Sequence, residues 1–158
     1  MVPLLPVGGG DLVSHVRVPR YNALIRRGID DRELYRRALT QVREPGLQAL
    51  LTENLHTLDA LIGDLQAQVH ASGRVPARHG TLAGAVRSAL AEMTAGFSAN
   101  RDAAWVHCLA RNECALLHRF EQQMAHATDE SARVLGVQLS RLHGIHNDMH
   151  CLAGTTHG

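Results

Sequence analysis

Eleven histidines stand in a chain of 158 residues, and several fall at spacings that metal chemistry uses. Glu33, the pair Glu53-x-x-His56, Glu113 and the pair His143-x-x-His146 are spread over four helix-forming stretches. Four-helix bundles hold two iron or manganese ions with one Glu on each of two helices and Glu-x-x-His on each of the other two. Such a centre needs carboxylates and imidazoles pointing inward at one level, because two hard cations must be caged together. The heights agree: Glu33 and Glu53 lie about equally far from a turn at Arg43–Gly46, and Glu113 and His143 from a turn near Thr128. The facing does not. At about 100° per residue, Glu53 and His56 fall opposite the leucine face of their helix, Glu33 points away from its own apolar stripe, and His143 sits at a flank. Only Glu113 and His146 turn inward, and His143 stands where the pattern wants Glu. An iron or manganese centre is therefore the alternative reading, and no metal cofactor is the favoured one.

A second metal possibility is local. His143, His146 and His150 run along one side of the last helix, and His146 and His150, four apart, could chelate one zinc, copper or nickel ion. Spacing fixes no carboxylate or cysteine beside them, so the favoured reading is an amphipathic flank that tolerates histidine. The three cysteines, Cys108, Cys114 and Cys151, are odd in number and form no CxxC pair. That excludes a disulfide framework or a zinc ribbon and fits a reducing compartment. Cys108 points into the core stripe of its helix, Cys114 away from it, and Cys151 to the outer side of the last helix, none with a partner that spacing can specify. Gly8–Gly10 makes no phosphate loop, since it follows no strand and opens no helix.

The inward polar residues suggest something other than a metal cage. Asp31, Arg32 and Tyr35 lie on the first bundle helix, Asn54 and Thr57 on the second, Asn112 and Glu113 on the third, and His146 on the fourth. The expectation is a metal-free polar layer of Arg32, Asp31, Tyr35, Glu113 and His146 that sets helix register. In it the Arg32 guanidinium supplies the positive charge and pairs with Glu113 or Asp31, which a buried ion pair requires. In the blander alternative, Arg32 reaches to the surface along its aliphatic stem.

The elements that position these residues are helices. Aromatic residues make up 3% of the chain, and Ala and Leu are abundant, which suits a helical bundle and argues against a sandwich or barrel. Residues 1–20 are expected to form a flexible arm, with Pro and Gly preventing a helix. A first helix spans Tyr21–Arg43, with an apolar stripe of Tyr21, Leu24, Ile25, Gly28, Tyr35, Ala38, Leu39 and Val42. Glu44-Pro45-Gly46 turns the chain into a second helix of leucine spacing that stops near Gly73. Thr81 caps a short crossover helix with Leu82, Val86, Leu90, Met93 and Phe97 on one side. A third bundle helix covers Arg101–Ala127, and a fourth starts after Thr128 and carries Leu135, Leu142, Ile145 and Met149 inward. Two antiparallel hairpins joined by a long crossover give an all-α four-helix bundle over residues 21–153, with a tail at 154–158.

With 16 basic against 15 acidic residues, neither a nucleic-acid nor an anionic-membrane surface is expected. No leader or membrane-spanning run is read from the start of the chain, so a soluble cytoplasmic protein is expected. The stretches YNALIRRGIDDRELYRRALTQVREPGLQALLTENL, DLQAQVHASGRVP and RNECALLHRFEQQM, with the later HND, resemble a mainly proteobacterial family of unknown function placed in the ferritin-like superfamily. The resemblance covers about residues 21–153. It implies a ferritin-like bundle and supplies no activity. Acidic residues are common in that family where Arg32 stands here. The favoured functional reading is a non-enzymatic bundle working through its surface, as a homo-oligomer or stress-associated accessory protein. A metal-binding oxidoreductase or storage protein is the alternative, and a binder of small molecules between helices a third.

Overall fold

The computed structural model describes residues 9–155, with side chains over 18–154. Five helices follow one another: α1 Gly9–Gln41, α2 Pro45–Ala71, α3 Leu82–Gly96, α4 Arg101–Ala125 and α5 Asp129–Thr155. Among the described residues there is no strand. The turn chemistry explains the boundaries. The Glu44 carboxylate accepts from the backbone N–H groups of Gly46 and Leu47, with Pro45 in the first turn of α2, where its missing N–H leaves nothing unsatisfied. Gly73, at φ 75°, closes α2 in the left-handed conformation that a side chain would oppose. Thr81 caps α3 and Asn100 caps α4.

Helix α1 begins twelve residues before the expected start at Tyr21. After Gly10 no breaker occurs until Pro19, and α1 runs through that proline at the cost of one backbone hydrogen bond and a ring clash with the preceding turn. Val18 already packs against the core, so the expected arm does not extend over residues 9–20; residues 1–8 lie outside the described residues. Gly9 thus does open a helix, contrary to the sequence expectation. At the other end α5 runs to Thr155 through the expected tail boundary at Gly154, and residues 156–158 lie outside the described residues.

Helices α1 and α2 form one antiparallel hairpin and α4 and α5 the other, with α1 against α4 and α2 against α5. Asp102, in the first turn of α4, accepts from the backbone N–H groups of Arg43 and Glu44. Gln138 and Arg141 of α5 donate to Asp64 of α2. These contacts fix the directions: α1 up, α2 down, α3 up as the crossover, α4 down and α5 up. The interior positions alternate three and four apart on every bundle helix. Leu24, Gly28, Asp31, Tyr35 and Ala38 line α1, with Val42 continuing the row just past its end, and Val106, Leu109, Glu113, Leu116 and Phe120 line α4. That 3.5-residue repeat is the packing of left-handed bundles, where each side chain fits between four of a neighbouring helix. Trp105, Tyr35 and Phe120 are the largest fully buried side chains.

Helix α3 lies outside this square, against α1 and α4. It docks through small residues: Gly84, Ser88 and Ala95 are buried. The Asp30 carboxylate, itself buried, accepts from the Thr81 N–H and from the Thr81 hydroxyl, both at 2.7 Å. A Cβ at Gly84 or Gly80 would collide with that carboxylate, so the close approach of α3 to α1 depends on glycine.

Candidate functional site

The level of the bundle that carries polar residues contains Asp31, Tyr35 and Glu113, each 1% exposed, and Asn54, 3% exposed. Oδ2 of Asp31, the Tyr35 hydroxyl, Nδ2 of Asn54 and both oxygens of Glu113 are buried without a hydrogen-bond partner. Burial dominates the protonation of all three acids in this layer. It raises the Asp31 carboxyl to about 7, with Arg27 opposing and Asp30 adding to the shift. It raises Glu113 well above the usual carboxylate range, the Asp31 charge adding to the effect. It likewise raises the Tyr35 phenol, with Glu113 beside it. A charged carboxylate is expensive to desolvate, and two charged carboxylates in one dry layer repel, which is why both are shifted upward.

Arg32 does not enter it. Its guanidinium reaches Asp59 of α2 at 3.3 Å and Glu33 at 3.5 Å, on the outer seam where Arg36 also meets Glu33 at 2.6 Å. The expected pairing of Arg32 with Asp31 or Glu113 is thereby corrected. The reason is phase: the three-four alternation on α1 brings Asp31 to the centre, and a residue one step further turns out by about 100°. Thr57 donates to the carbonyl of Glu53 on its own helix, and His146 is only half-buried.

A two-metal centre does not fit these residues. Glu33, Glu53, His56 and His143 are exposed, and the buried layer offers two carboxyls, a phenol and an amide with no imidazole.

His146 belongs to a different group. Cys114 of α4 puts its Sγ 3.2 Å from Nε2 of His150 and 3.7 Å from Nδ1 of His146. The two imidazoles stand edge to face with centroids 4.2 Å apart. All three ligand atoms lie within 4.8 Å of one another. Burial lowers the His146 pKa, and the charges of His150 and His143 lower it further, against an opposing pull from Glu121. His143 turns to Glu121 instead, at 3.9 Å. Spacing alone gives Cys114 no partner; the antiparallel pairing of α4 with α5 gives it two.

Two surface features stand apart from both groups. A groove of about 440 Å³ between α1, α3 and α4 is lined by Arg27, Arg87, Arg111, Cys108 and Asn112 among others. The side of α3 facing away from the bundle carries Leu82, Val86, Leu90 and Met93, continued by the C-cap Phe97, exposed by 83, 53, 56, 58 and 88%.

Residues 19–126 match the family model described as "Domain of unknown function (DUF2383)". The chain belongs to that family. Cys114 lies within the DUF2383 stretch, whereas His146 and His150 lie beyond it. A similar solved structure is YcfI from Rhodopseudomonas palustris, described as "a putative structural protein". It shares 19% identity over 87% of this chain and 92% of its own, with a TM-score of 0.74, a likeness of fold. No curated protein matches the chain. Among the described residues no helix is long and apolar enough to cross a membrane.

Proposed function

We propose that this protein is a ferritin-like bundle with a structural role, assembling with a second copy of itself through α3. The topology supports the ferritin-like assignment, since bundles of that class join their two hairpins by a single long crossover. One observation carries the function: the apolar side of α3 faces solvent while its small-residue side faces the core. The five residues, each more than half exposed, leave apolar surface on the order of 600 Å², at the upper limit for a monomer. Two copies meeting there would remove about 1,200 Å² from water, the size at which specific interfaces begin.

The pattern favours a copy of the same helix as the occupant. Ala83, Val86, Leu90, Met93 and Phe97 alternate three and four apart, the seam of a helix pair. The only charged residues on α3 are Arg87 and Glu92. Glu92 is held by Arg37 at 2.7 Å, and Arg87 lines the groove beside α1 and α4. The exposed residues beside the seam, Ala85, Ala89 and Thr94, are neutral, so an isologous antiparallel pair meets no like-charge repulsion. The description attached to YcfI agrees with such a role.

Sedimentation of the full chain across a hundredfold concentration range tests the reading. The expected result is a dimer at tens of micromolar that becomes a monomer in the Leu90→Glu/Phe97→Glu variant, with helicity unchanged. A wild-type chain that stays monomeric, or a dimer that survives the double substitution, overturns it.

A further inference from the structure

We infer that Cys114, His146 and His150 form a binding site for a single zinc-class transition-metal ion at the α4–α5 seam, with a fourth position open to solvent. The donor set is a thiol and two imidazoles, which suit borderline-soft ions such as Zn²⁺ and disfavour Mg²⁺ or Ca²⁺. The geometry is close to that of the filled site. With Zn–S of about 2.3 Å and Zn–N of about 2.0–2.1 Å in a tetrahedron, sulfur and nitrogen ligands stand roughly 3.5 Å apart. Here the two sulfur–nitrogen separations are 3.2 and 3.7 Å, each within a few tenths of an ångström of that value, and the two nitrogens lie within 4.8 Å of one another, a gap that imidazole rotation closes around an ion.

The scaffold holds this arrangement independently of any ion. His146 and His150 stand one turn apart on α5, which brings their side chains to one face. Ile145 and Met149, their neighbours in sequence, are buried and fix the rotation of α5. On α4, Glu113 and Leu116 do the same for Cys114. Cys114 and His146 are half-buried and His150 is exposed, so an ion has a path in and one coordination position left for water. Binding displaces the thiol proton to solvent and leaves a thiolate, two neutral imidazoles and a divalent ion, a net charge of plus one. This site lies on the α4–α5 flank, separate from the α3 surface, and stands or falls without the assembly proposed above.

Cobalt titration of the untagged full chain is the test, because Co²⁺ replaces Zn²⁺ and reports sulfur ligation. One equivalent of Co²⁺ should give a thiolate-to-metal charge-transfer band in the near ultraviolet and tetrahedral bands in the visible, all bleached by Zn²⁺. The near-ultraviolet band should vanish in Cys114→Ser and persist in Cys151→Ser. His150→Ala, at an exposed position, should weaken cobalt binding at least tenfold without loss of helicity. Binding with no thiolate band marks adventitious coordination by surface histidines and overturns the site. A band that survives Cys114→Ser overturns it as well.

Discussion

Asp31 is the residue on which the interior electrostatics turn. Its folded-state pKa of about 7 lies above the ordinary value of 3.8, so the folded protein holds a proton there that the unfolded chain releases. The stability associated with that proton is complete below about pH 4 and is lost as pH rises towards 7 and beyond. Asp31→Asn keeps the shape and removes the titration. The variant should be more stable than wild type by about 1–3 kcal/mol at pH 8, with the gap closing by pH 4, as read by urea unfolding at both values. Equal gaps at the two pH values would show that Asp31 is not the group that titrates. Arg32, by contrast, makes its contacts on a partly exposed seam. Arg32→Ala should cost less than about 1 kcal/mol, and a larger loss would place the guanidinium back in the interior.

At the scale of the element, α3 is the part whose placement depends on single atoms. The Asp30 carboxylate fills the space that a methyl group on Gly84 would need, while it holds the first turn of α3 through Thr81. Gly84→Ala must push α3 away or displace a buried carboxylate, and should lower stability by about 2 kcal/mol or more. Gly63 in α2 and Gly144 in α5 have nothing within 4 Å of an added Cβ. Alanine at either should raise stability by about 0.5–1 kcal/mol, since each sits inside a helix where glycine costs backbone entropy. Thermal unfolding of the three variants separates the two effects by sign. If Gly84→Ala also gains stability, the tight docking of α3 on α1 is wrong.

On the scale of the whole molecule, the two hairpins share one hydrophobic core, with Trp105 fully buried within it. Tryptophan fluorescence and helical circular dichroism should therefore change together in one cooperative transition. Separate midpoints would mean that the hairpins unfold as independent units. Filling the seam between α4 and α5 with zinc at a hundredfold excess over its dissociation constant should add about 2.7 kcal/mol, visible as a raised melting temperature in wild type and absent in Cys114→Ser. Assembly through α3 would add a dependence on protein concentration that the metal does not.

Helix type, most boundaries and the crossover were legible in the sequence because capping and apolar spacing are local. Glu44-Pro45-Gly46, Thr81 and Gly73 each act within a turn of their own position. The exposed sides that carry Glu33, Glu53 and His56 follow from periodicity alone. What periodicity could not resolve was a single step of phase. Asp31 and Arg32 differ by about 100°, within the width of an apolar stripe, and only packing against α2 and α4 sends one inward and the other to the seam. The apolar side of α3 is a related case: five large apolar residues resemble a core face, but Asp30 and Gly84 dock the small-residue side instead. The His146–His150 pair was legible from its spacing, but its partnership with Cys114 was not, for a different reason. Cys114 stands 32 and 36 residues from the two histidines, and a contact across two helices is set by their relative rotation and register, which only the folded bundle decides.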